Sequence, residues 1–161
     1  MLALQRQFKR REVRKTYLAI LDGHPPTPAG RIEAPLGRDS RHRQKMAVVP
    51  VSRGREAATV YRVVETFRDH SLVELHPETG RTHQLRVHLA FLGCAVLGDR
   101  VYGRPPADLA IRRQMLHAWK LELVLPGQTE TRLLVAPLPP DFEQVLTQLR
   151  GVSPDARPRT Q

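Results

Sequence analysis

The sequence predicts an α/β chain dominated by antiparallel strands, and three observations carry that prediction. Runs of apolar and β-branched residues recur with turn residues between them, as at 16–21, closed by Asp22-Gly23 and by Pro25, Pro26 and Pro28. Two neighbouring runs, 57–67 and 71–75, meet across Arg68-Asp69-His70, the spacing of a hairpin. Helical periods appear in only a few short stretches. At 161 residues, 40% of them hydrophobic, the chain suits one domain with a core and is too short for two.

The elements follow in order. Residues 1–10 read as a short helix, anchored by Leu2, Leu4 and Phe8 and wetted by Arg6, Lys9 and Arg10. It opens without a capping lead-in, which reads as an element whose upstream context is absent. The strand at 16–21 is followed by a short one at 31–34, a polar loop at 37–45 and a returning strand at 46–51. The run at 57–67 alternates through Ala58, Val60, Arg62 and Val64. At 82–92 the alternation stops: Leu85, Leu89 and Leu92 share a helical face, Gly93 stands as the C-terminal cap, and Thr79 or Thr82 as the N-terminal one. A late hairpin is expected from 117–125 and 131–136, and Pro139-Pro140-Asp141 opens a last helix to about 149. The domain is expected to span 1–150, with 151–161 a disordered tail.

Lys and Arg number 26 against 16 Asp and Glu, a formal charge of +10. Such a balance points to a polyanion, nucleic acid first; a ribosomal or chromatin-type binding protein, or simply a basic surface, is the plainer alternative. Cys94 is the only cysteine, so internal disulfides and cysteine-based zinc clusters are excluded, in keeping with a reducing cytoplasm. Its apolar neighbours make it a small core residue. No run approaches the roughly 18 apolar residues of a membrane span, and the first residues lack the order of a signal peptide.

The segment 78–89 is the richest in chemistry. Gly80 gives a tight entry, and free N–H groups at a helix start suit a phosphate, with Arg81, Thr82 and His83 beside them. Arg86 leaves the helix flank next to core Leu85 and needs a carboxylate, for structural pairing or for function. His83 and His88 lie about 140° apart around a helix, so no metal site is expected. His88 reads as a hydrogen-bonded core histidine. Tyr17, beside Arg14 and Lys15, is either a base-stacking platform or a cross-strand core residue. Arg38, Arg41, Arg43 and Lys45 either straddle RNA phosphates or form a solvated charged loop.

Taken together and in order, several segments resemble the RluA-like pseudouridine synthases. They are Gln7-Phe8, Lys15-Thr16-Tyr17-Leu18-Ala19, Pro35-Leu36-Gly37-Arg38-Asp39, Gln44-Lys45-Met46-Ala47-Val48 and 79–90 with its Gly-Arg-Thr-His-Gln-Leu-Arg-Val-His core. Gly98-Asp99-Arg100-Val101-Tyr102-Gly103, Leu116-His117-Ala118 and Ala136-Pro137-Leu138-Pro139 complete the set. The resemblance implies a mixed, largely antiparallel sheet flanked by helices, with the active site in a central cleft. It implies isomerisation of uridine to pseudouridine in structured RNA, ribosomal or transfer, without metal or organic cofactor. Tyr17 matches the tyrosine that stacks on uracil and is proposed to remove the C5 proton; Arg86 matches the arginine that pairs with the nucleophilic aspartate. That aspartate sits, in the family, in a His-Arg-Leu-Asp segment upstream of the tyrosine strand. No such segment occurs here. The expectation is therefore a catalytic domain lacking its N-terminal part and inactive alone. The alternatives are a non-catalytic RNA-binding protein and a fragment completed by a chain that supplies the missing half.

Overall fold

The computed structural model describes residues 2–105, 109 and 111–152. Six strands form one sheet: β1 (Arg14–Asp22), β2 (Ala29–Glu33), β5 (Ala58–Thr66), β6 (His70–Pro77), β7 (Leu116–Val124) and β8 (Thr131–Val135), in the order β2-β5-β6-β1-β7-β8. A separate ribbon pairs β3 (Leu36–Arg38) with β4 (Met46–Val48). The helices are α1 (Leu2–Lys9), α2 (Gln84–Phe91) and α3 (Pro140–Val152). Every described strand pairing is antiparallel. Among the described residues no helix is long and apolar enough to cross a membrane.

β1 lies at the centre, and both of its faces are covered, which is why its sequence is continuously apolar rather than alternating. Ala19 and Leu21 point toward α2 and pack with Leu85, Leu89, Val73 and Leu75. Leu18 and Ile20 point the other way, into a cluster with Phe142, Val145, Leu146 and Leu149 of α3. The α3 register, three and four residues apart, turns one stripe onto the sheet. A third cluster, Leu36, Ala57 and Val87, fastens the β3–β4 ribbon against α2. At the far side β8 is an edge strand whose five residues are all exposed, Leu133, Leu134 and Val135 among them.

Several expectations are refined. The polar loop loses its first two residues to β3, and β4 stops at Val48 because Pro50 turns the chain. α2 begins at Gln84, not Thr82: His83 takes a left-handed conformation (φ 56°), and no side chain caps the helix. Thr79 instead accepts the Ala58 N–H and donates to Gln84 Oε1. Gly93 closes α2 as expected, with φ 82° and its N–H on the Ala90 carbonyl. α3 runs through Gly151 and Val152, two residues into the expected tail, and 153–161 lie outside the described residues. Cys94 is fully buried.

Candidate active site

The start of β1, the end of β6 and the start of α2 line an open cavity of about 200 Å³. Tyr17 stands in its wall, half-buried, beside a register shift in the β1–β7 ladder between Thr16 and Tyr17. Such irregularities re-aim a side chain out of the regular pleat. The Tyr17 hydroxyl makes no hydrogen bond among the described residues, and burial pushes its pKa up, so the phenol stays neutral. Lys15, Arg81, His83 and Arg86 share the cavity; no carboxylate of the described residues lines it.

Arg86 is held from below. Its Nε donates to Asp99 Oδ2 at 2.6 Å and its Nη2 to Asp99 Oδ1 at 2.7 Å. Asp99 is wholly inaccessible, and Oδ1 also accepts the N–H groups of Val101 and Tyr102. Burial opposes its ionisation, yet the Arg86 guanidinium and the two backbone donors win, holding the carboxyl below its usual range. The same bidentate bond raises the Arg86 pKa, so the pair is permanently charged. Nη1 of Arg86 has no protein partner among the described residues. The Tyr102 ring stacks beneath the guanidinium, 5.0 Å from its carbon, adding a cation–π contact.

Tyr102 also organises His83. Its hydroxyl accepts the Met46 N–H at 2.9 Å and lies 2.9 Å from His83 Nδ1, the rings meeting edge to face. Burial, and after it the nearby Arg86 charge, lowers the His83 pKa. A neutral imidazole receiving the Tyr102 proton at Nδ1 carries its own proton on Nε2. Deeper in, Gln84 Nε2 donates to the Ala58 carbonyl and to Thr59 Oγ1, and Thr59 Oγ1 lies 2.9 Å from His88 Nδ1. His88 Nε2 completes the chain at the Ala34 carbonyl. His88 is thus the core histidine its spacing suggests, and burial keeps its pKa low.

The basic residues separate. Arg38, Arg81 and Thr82 line a second cavity of about 380 Å³ next to the first, with Arg81 common to both. Arg41, Arg43 and Lys45 stay on the exposed loop, which Asp39 folds by accepting the Arg41 and His42 N–H groups. Lys45 reaches across to the Val101 carbonyl. The structure therefore joins Tyr17, Arg86, Arg81 and His83 at one cavity and leaves the loop cations to one side. Sequence reasoning missed the parts of Tyr102 and Gln84. It also did not identify Asp99 as the partner of Arg86, although the Gly-Asp-x-x-Tyr-Gly segment carrying Asp99 and Tyr102 was visible.

Comparison with known proteins identifies the family. Residues 1–91 match the family model described as RNA pseudouridylate synthase. The chain belongs to the RNA pseudouridylate synthase family. It is 49% identical over 150 residues to an uncharacterised RNA pseudouridine synthase of Chloroflexus aurantiacus, covering 93% of this chain and 46% of that one. It is 43% identical over 156 residues to the ribosomal large subunit pseudouridine synthase D of Nitrosomonas europaea, covering 92% and 44%. Among solved structures it resembles human RNA pseudouridylate synthase domain containing 4, with a TM-score of 0.77, 32% identity, and coverage of 92% and 67%. This family member thus spans about half the length of the bacterial relatives it matches.

Proposed function

We propose that this pseudouridine synthase chain supplies the base-holding and charge-holding side of uridine isomerisation in ribosomal or transfer RNA, a cytoplasmic task. The observation that carries the reading is the cavity lined both by Tyr17 and by an Arg86 already fixed by Asp99. A uracil turned out of its stack needs a flat apolar platform, which the Tyr17 ring offers. Its phenol oxygen, without a hydrogen-bond partner among the described residues, stands at the wall of the cavity that receives the detached uracil. Arg86 keeps Nη1 for the nucleophilic carboxylate, whose ionised form a fixed cation favours. Asp99 does not fill that nucleophile's role: it is inaccessible, and its oxygens are taken by four hydrogen bonds. The attacking aspartate then comes from polypeptide other than these residues, and the chain alone binds RNA without turning it over.

The test uses the purified chain on unmodified ribosomal and transfer RNA carrying tritium at uridine C5. The expected result is salt-sensitive binding with no tritium release. Release that vanishes in Arg86→Ala would mean that a carboxylate of this chain attacks after all. Absence of RNA binding would remove the reading altogether.

A further inference from the structure

Next to the Tyr17 cavity lies the cavity of about 380 Å³ that holds Arg38, Arg81 and Thr82, and two further arginines, Arg53 and Arg55, complete its wall. They arrive there by construction. The turn after β4 closes with the Arg53 and Gly54 N–H groups on the Pro50 carbonyl. It then presses back onto β3: Leu36 and Arg55 exchange both backbone hydrogen bonds at 2.9 Å. A Cβ on Gly54 would come within 2.7 Å of Val49 Cγ2, and one on Gly37 within 2.9 Å of the Arg53 carbonyl, so glycine is required for the approach.

The charges in this cavity are unopposed. None of Arg38, Arg53, Arg55 or Arg81 forms an ion pair among the described residues, whereas Arg31, Arg86, Arg104, Arg113 and Arg150 all do. Arg38 and Arg81 are steadied by neutral carbonyls instead: Arg38 Nη1 donates to the Arg43 carbonyl and Arg81 Nε to that of Glu56. No carboxylate of the described residues lines the cavity. Four arginines that line one cavity without an ion-pair partner among the described residues suit an anion with several acceptor oxygens.

We propose that Arg38, Arg53, Arg55 and Arg81 form a clamp for the phosphodiester backbone of the RNA strand whose base enters the Tyr17 cavity. Arg81, which lines both cavities, sets the clamp directly beside the base. This inference rests on the RNA reading above and adds to it the place where the strand is gripped.

The experiment measures binding of the chain to an unmodified ribosomal RNA hairpin across a salt series, for wild type, Arg53→Gln/Arg55→Gln, Arg53→Lys and a control, Arg132→Gln, on the exposed edge strand β8. The double variant is expected to lower the slope of log affinity against log salt by about 1.4, two lost phosphate contacts at about 0.7 each. Arg53→Lys, which keeps the charge but not the fork, is expected to retain the slope and bind more weakly. Melting temperatures verify that every variant folds. A double-variant slope no lower than that of Arg132→Gln would overturn the clamp while leaving RNA binding intact. Loss of salt-sensitive binding in the wild type would overturn the RNA reading, and the clamp with it. Saturable binding of inorganic phosphate by wild type, abolished in the double variant with the RNA slope unchanged, would replace the clamp by a free-phosphate site.

Discussion

The segment 79–102 and the basic loop 38–45 use charge in opposite ways. Around α2, the partly buried Arg86 is matched by the fully buried Asp99, and the polar side chains of Gln84, Thr59 and His88 hand hydrogen bonds to one another without interruption. In the loop, Arg38, Arg41, Arg43 and Lys45 meet, among the described residues, only backbone carbonyls. Apart from Arg81 and the Nη1 of Arg86, the first region satisfies its own polar groups; the second does not. Stability should therefore concentrate in one and affinity in the other, and mutation tests that division.

The largest effect is expected from Asp99→Asn. It leaves the partly buried Arg86 charge without its anion, which should destabilise by about 3 kcal/mol in urea unfolding. A loss under 1 kcal/mol would mean that the pair is not structural. Next comes acid. His83 and His88 have lowered pKa values when folded, so the unfolded chain binds their protons first. Their contribution is complete above the ordinary value near 6.5 and is lost as pH falls through the lower folded values, at up to about 1.4 kcal/mol per pH unit for each histidine. Unfolding curves from pH 8 to 5 check this, and His88→Gln should flatten the decline. Tyr102→Phe removes the hydroxyl between Met46 and His83 and should cost about 1 kcal/mol, with altered His83 ring signals in NMR. Smallest in stability is Arg41→Gln/Arg43→Gln, expected within about 0.5 kcal/mol of wild type yet weaker in RNA binding at low salt. If this variant melted early instead, the loop would be part of the scaffold and the contrast would fail.

Much of this was legible beforehand. Alternation and turn residues located β1, β5, β6, β7 and β8, because each of these strands is at least five residues long and bounded by turn-forming residues. The Leu36–Arg38 strand was invisible: three residues hold no period, and the ribbon depends on packing against Val87. The start of α2 was misjudged by two residues because a left-handed histidine sends no signal of its own. For the site, the need of Arg86 for a carboxylate was plain, but its identity was not. Asp99 lies 13 residues further on, in a turn beyond α2, and only folding brings the two together. Arg53 and Arg55 were passed over for the same reason, since they face Arg38 only once the turn doubles back.

Cys94 gives the molecule a built-in clock. It is the single thiol of the chain, sealed under α2 against β1, with a pKa pushed up to about 11 by burial. A thiol so placed is inert toward alkylating reagents until the sheet face beneath α2 opens. The labelling rate in plain buffer then counts those openings and reads their free energy without denaturant. The same count, repeated with RNA bound, reports whether gripping the strand quiets the floor of the cavity in which the base would turn.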